Sequence, residues 1–122
     1  MIEPAHLVGT GGAIGALCRY FVGQWLANDR FPFATLTVNA VGSFALGLVT
    51  FGAIGSDVFL LLGVGACGSF TTYSSFSVET IRLWETGDRL RAGLYAGGTL
   101  CLCVTAAATA GMLITLFGGQ PW

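Results

Sequence analysis

Lysine is missing altogether, and charge of either sign is sparse: five basic residues, all arginine, and six carboxylates in 122 residues, 9% charged. A soluble domain carries about 25% charged residues, so this composition cannot cover a surface that faces water. Without a basic stripe, nucleic-acid binding is excluded. No nucleophile–base pair, His/Cys cluster at metal-ligand spacing or Walker-type phosphate loop occurs, so an enzyme has no support. The one histidine, His6, lies near the start. The opening MIEPAH has no positive stretch before its apolar run, which therefore reads as a retained span rather than a cleaved signal.

Apolar residues and glycine are abundant. Hydrophobic residues make up 54%, mean hydropathy is +0.77, and there are 19 glycines, roughly twice the usual ~7%. The glycines sit inside apolar runs without a collagen period, which points to close helix packing. The class is a small polytopic membrane protein. A membrane helix takes about 20 apolar residues, and four stretches qualify: Ala5 to Ala27, Phe33 to Gly55, Val58 to Trp84, and Ala92 to Phe117. The prediction is one integral membrane domain, all-α, with four transmembrane helices and little left over. Four helices are few to enclose a pathway, so an oligomer is expected.

Cys18, Cys67, Cys101 and Cys103 all fall in apolar runs and read as small packing residues. Small residues recur at i, i+4 as Gly11 with Gly15, Gly93 with Gly97, and Asn39 with Ser43 and Gly47, a spacing that brings helix backbones together in lipid. Arg30 lies in the first loop, Arg82, Arg89 and Arg91 at or near the third, and the other ends have none. The positive-inside rule then puts both termini outside.

Polar groups within the spans are the candidates for function. Arg19 is a charge inside span one, open to a functional role or to snorkelling toward the nearby interface. Asn39 is the one amide in an uncharged span, able to donate two hydrogen bonds or to serve as interhelical glue, and Thr35 lies one turn before it on the same face. Span three is the densest. Six of the nine residues from Ser69 to Ser77 are serine or threonine, just after Gly63, Gly65 and Gly68. Glycine weakens a helix by around 1 kcal/mol relative to alanine, so span three is expected to break here, and freed carbonyls at a break are ready cation ligands. Tyr73 and Phe76 share a face that Glu79 continues, and Tyr95, Thr99 and Cys103 line up on span four. Hydroxyls, an amide, an arginine and ring edges, with no acid inside spans one, two or four, favour an anion as the moving species.

Four ordered segments carry a family resemblance: GGAIGALCRY (11–20), FATLTVNAVGSFALG (33–47), GACGSFTTYSSFSVE (65–79) and the Tyr95–Thr99 pair. Together they resemble the Fluc (CrcB) fluoride channel family over nearly the whole chain. The resemblance implies a passive, fluoride-selective channel in the cell membrane that exports cytoplasmic fluoride, built as an antiparallel dimer with two pores at the subunit interface. By position it implies that Asn39 donates to fluoride and that Tyr73 and Phe76 turn ring edges to the ion. Thr72 and Ser75 belong to the same motif, Tyr95 and Thr99 to a polar track, and Arg19 and Glu79 to the motif arginine and vestibule acid. Carbonyls of Gly68 and Thr71 would hold a structural sodium ion. Tyr73 stands where the family pattern has phenylalanine, and Ser75 where it has threonine.

An antiparallel homodimer needs one chain to insert both ways, yet the loop arginines here lie on one side. The partner expected is therefore a second copy or an oppositely oriented paralogue. The competing class is a small multidrug-resistance-type four-helix exporter, which needs a carboxylate in the first helix where this chain has Arg19. A structural subunit that transports nothing gives no reason for the hydroxyl-rich run.

Overall fold

The computed structural model describes residues 3–118. Among them there are helices, turns and short loops, and no strand. Helix α1 (Pro4–Trp25) opens with proline at its first turn, where the missing N–H costs nothing. Helix α2 (Phe33–Phe51) follows Pro32 and stops four residues before the expected Gly55. Gly52 caps it, and Ala53 turns to φ 49°, so 52–55 form a loop instead of another helical turn.

Next come α3 (Ser56–Val58), a π-helical segment (Phe59–Cys67) and α4 (Gly68–Phe70). Across Gly63, Gly65 and Gly68 the helix continues, wound wider. Gly68 N–H reaches the carbonyls of Gly63 and Gly65, and the segment packs against α1. Gly11 and Gly15 lie so close to the Leu61 and Ala66 carbonyls that a methyl group on either would overlap those oxygens. The glycine run thus serves backbone contact, which only residues without Cβ permit.

Helical geometry lapses further on, at Thr71 (ψ 160°) and Thr72 (φ −149°, ψ 119°). Helix α5 (Tyr73–Glu85) restarts with Thr72 as its N-cap, the side chain accepting from Ser75 N–H. Helix α6 (Arg89–Leu116) begins three residues before the expected Ala92, because Asp88 accepts from Arg91 N–H at 3.2 Å. Asp88 and Arg91 also form an ion pair at 3.2 Å.

Helix α2 packs along α6, α1 along the π-helical segment and α4, and α5 along α6. The fully buried set is small: Val38, Cys67, Ala92, Tyr95 and Ala110 among apolar residues. Leu17, Phe21, Leu100, Met112 and Leu116 are exposed, as side chains are when lipid is the solvent. Among the described residues three stretches are long and apolar enough to cross a bilayer: Phe33–Phe51, Ser56–Glu85 and Arg89–Leu116. The chain is a multi-pass membrane protein. Helix α1, although 22 residues long, falls outside this set, since five glycines and Arg19 dilute its hydropathy.

Of the small-residue stripes, Gly47 lies against Ala107 and Ala110, and Gly42 against the Thr71 methyl. Gly93 and Gly97 meet nothing within 4 Å, so their stripe packs no helix of this subunit.

Candidate functional site

The site is organised around the two extended residues after α4. Asn39, on α2, donates from Nδ2 to the Thr72 carbonyl at 3.0 Å and accepts from Thr72 N–H at 2.7 Å. One buried side chain therefore satisfies both backbone groups of a residue that has left the helix, which lipid could not do. A second N–H of the amide remains beyond this pair.

The clamp has a consequence for the carbonyls around it. In an unbroken helix Thr72 N–H would serve Gly68 and Ser75 N–H would serve Thr71. Thr72 N–H goes to Asn39 and Ser75 N–H to Thr72 Oγ1 instead. The Gly68 and Thr71 carbonyls thus lose the donor four residues on, leaving hard oxygen ligands of the kind that suit a small cation.

Two cavities flank Thr72. The first, about 390 Å³, is lined by Arg19, Thr35, Thr72, Ser75 and Glu79 together with Phe31 and Pro32. The second, about 300 Å³, is lined by Asn39, Ser43, Thr71, Thr72, Tyr73, Phe76, Thr99 and Cys103. Thr72 lines both.

In the first cavity Glu79 is held from two helices. Thr35 Oγ1 donates to Oε1 at 2.9 Å and Tyr95 OH to Oε2 at 2.7 Å. Thr35 and Tyr95 are buried, while Arg19 and Glu79 are half-buried. Thr72 Oγ1 also contacts Ser75 Oγ at 3.1 Å and Ser74 Oγ at 3.3 Å.

In the second cavity Thr99, 5% exposed, has an Oγ1 that is buried without a hydrogen-bond partner among the described residues. Such an orphan is costly unless something occupies its donor. The ring of Phe76 lies 5.9 Å from Tyr73 and 5.4 Å from Tyr95, which meets Phe31 edge-on at 5.6 Å. Phe31 lines the first cavity and Tyr73 and Phe76 the second, with the Tyr95 ring between them. Tyr73 is 81% exposed.

The structure brings together Arg19, Thr35, Thr72, Ser75 and Glu79 in one chamber, and Asn39, Tyr73, Phe76 and Thr99 in the other. Tyr95 joins the two through Glu79 and its ring neighbours. Two contributors escaped the sequence reading. Phe31 sits in a polar turn, where an aromatic next to Pro32 was the available signal, and Ser43 was read as a packing residue. Among the described residues no group of three His, Cys, Asp or Glu side chains could hold a metal.

Chambers lined by hydroxyls, an amide and ring edges beside a clamped helix lapse define an ion conduit, not an enzyme. Comparison with known proteins agrees. The family model described as CrcB-like protein, Camphor Resistance (CrcB) matches residues 6–112, and the chain belongs to that family. It is 57% identical over 109 residues to the Fluoride-specific ion channel FluC 2 of Haloarcula marismortui, covering 89% of this chain and 92% of the relative. It is 43% identical over 111 residues to FluC 1 of Halobacterium salinarum (91% and 93% covered), and 45% identical over 118 residues to FluC of Rhizobium etli (90% and 94%).

Proposed function

We propose that this chain is a fluoride-selective channel of the cell membrane, lowering cytoplasmic fluoride by passive conduction. The observation that carries the reading is the buried, unpartnered Thr99 hydroxyl facing a cavity edged by Tyr73 and Phe76. A small anion accepts a hydrogen bond from that hydroxyl and draws on the positive ring edges. The free N–H of Asn39 is a second donor to it, and Thr72 and Ser75 hand the ion to the chamber of Thr35 and Arg19. Glu79, engaged by Thr35 and Tyr95, keeps that chamber's wall in place.

The working unit in this reading has four spans per subunit, α1 included, a third span interrupted at Thr71–Thr72, and two antiparallel subunits. Support comes from α5, which has no fully buried residue and leaves Tyr73 uncovered. The partner is a second copy or an oppositely oriented paralogue. A structural sodium ion fits the Gly68 and Thr71 carbonyls released by the Asn39 clamp, where it would tie the subunits together without being transported.

The exporter alternative is disfavoured by charge placement: α1 carries Arg19 and no carboxylate after its cap residue Glu3. The test is fluoride-electrode efflux from proteoliposomes made with this gene product alone, chloride being the control ion. Selective fluoride efflux is expected. Equal chloride efflux overturns the channel reading, no efflux of either ion favours the paralogue partner, and robust fluoride flux from the single product removes the need for a paralogue.

A further inference from the structure

The second cavity holds a thiol as well as hydroxyls and an amide. Cys103 follows Thr99 by one turn on the same face of α6, and both line the cavity beside Asn39, Ser43 and Phe76. Of the four cysteines it alone lines either chamber. Cys101, two residues earlier, stands about 200° round the helix and is exposed where lipid is the solvent. Cys18 is exposed on α1, Cys67 is buried in the π-helical segment, and Cys103 is half-buried at the cavity wall. A second, independent observation shows that this wall takes a ligand. Thr99 is 5% exposed and its Oγ1 has no partner among the described residues, so the hydroxyl calls for a small occupant of the cavity.

We propose that Cys103 is a soft-metal site inside the ion path, which takes a compact thiophilic species such as methylmercury and closes the path when loaded. The proposal rests on the channel reading. Soft metals select thiolate sulfur over the hydroxyl, amide and carbonyl oxygens that supply the rest of the polar wall. Methylmercury already carries a methyl ligand opposite its open position, so a single thiolate completes it and no cluster of ligands is needed. The Cys103 sulfur exchanges its proton for the metal of methylmercury hydroxide. The S–H and Hg–O bonds break, S–Hg and O–H bonds form, water leaves, and nothing is oxidised or reduced. The adduct puts an apolar methyl and a heavy atom into a space of about 300 Å³, one turn from the Thr99 hydroxyl. It also replaces the S–H, a weak donor, with a group that donates no hydrogen bond.

Proteoliposomes of the full chain, treated with methylmercury hydroxide in chloride-free buffer, test this, with fluoride efflux compared before and after treatment for each variant. Intact mass and peptide mapping place the adducts independently of flux. The unaltered protein should lose efflux by roughly tenfold or more as its constriction fills, with an adduct on Cys103, and excess dithiothreitol should restore it. Cys103→Ser should keep its own untreated rate through the treatment. Cys103→Ala should be equally resistant, which guards against one of the two failing to fold. Cys101→Ser should be inhibited like the unaltered chain. Inhibition that persists without the Cys103 thiol, that disappears in Cys101→Ser, or that dithiothreitol does not reverse overturns the site. So does an adduct on Cys103 with unchanged efflux, or a Cys103 left unlabelled while Cys18 and Cys101 react. Untreated protein that passes chloride as readily as fluoride fails the channel reading itself, whereas selective efflux untouched by methylmercury fails only the thiol site.

Discussion

The two halves of the chain from Ser56 to Glu85 share a helical direction but little else. The first, Phe59–Cys67, is purely apolar, wound as a π-helix and pressed against α1 through Gly11, Gly15 and Gly65. The second, α5, has no fully buried residue and carries the hydroxyls, the rings of Tyr73 and Phe76, and Glu79. One half supplies contact without chemistry and the other chemistry with little contact. Asn39 stands between them and holds Thr72 by both backbone groups. Rigid backbone packing on one side lets a sparse set of polar groups keep its geometry on the other.

If that division is right, the largest effect belongs to the packed half. Gly15→Leu should abolish monodisperse, folded protein in detergent, because the side chain would have to occupy the Ala66 carbonyl's place. Overpacking a core typically costs about 1–3 kcal/mol, and here the obstacle is backbone, which yields less than a side chain. Recovery of well-folded Gly15→Leu would erase the contrast.

Next is the hinge between the halves. Asn39→Ala leaves Thr72 N–H and C=O without their partner, at about 1–3 kcal/mol for each buried unsatisfied group. A lower Tm and the loss of nearly all fluoride efflux are expected. Efflux at the native rate would show that the clamp is dispensable.

Glu79 sets a smaller effect in the chemical half. Glu79→Ala removes the acceptor of both Thr35 and Tyr95, and hydrogen bonds to a charged group contribute about 1.5–3 kcal/mol. Glu79→Gln keeps one acceptor oxygen and should recover a large part of the lost Tm. Equal Tm losses in the two variants would mean that volume, not hydrogen bonding, matters there.

Thr99→Val should separate chemistry from stability most cleanly. The hydroxyl has no partner among the described residues, so Tm should hold or rise while fluoride efflux falls by about tenfold, equivalent to roughly 1.4 kcal/mol. A lowered Tm with unchanged efflux would reverse the assignment. Smallest of all, Tyr73→Phe keeps the ring edge and should leave efflux unchanged. Abolished efflux would assign the work to the hydroxyl.

Helices α1, α2 and α6 start and end within a few residues of the apolar runs 5–27, 33–55 and 92–117, because hydropathy over about 20 residues is a local property. Helix ends departed where a single residue decided them: Ala53 at φ 49° closed α2 early, and Asp88 opened α6 early. The site residues were legible as polar exceptions in apolar surroundings. Their pairing was not, since Thr35 meets Glu79 across 44 residues and Asn39 meets Thr72 across 33. The weakness of the glycines of 63–68 as helix formers is likewise local, but α1 lies against them and holds them wound.

Composition alone determined that the chain lives in lipid, since 9% charged residues cannot support a wet surface, and it determined which few groups were available for chemistry. Tertiary structure decided what those groups do. It placed the lapse in the helix at Thr71–Thr72, because two threonines could leave the helix once Asn39 took up the backbone bonds of Thr72, whereas glycines without Cβ can be packed against a neighbouring backbone. In a bilayer every freed N–H and C=O must find a partner within the protein, so the position of one amide on another helix settled where the chain could open.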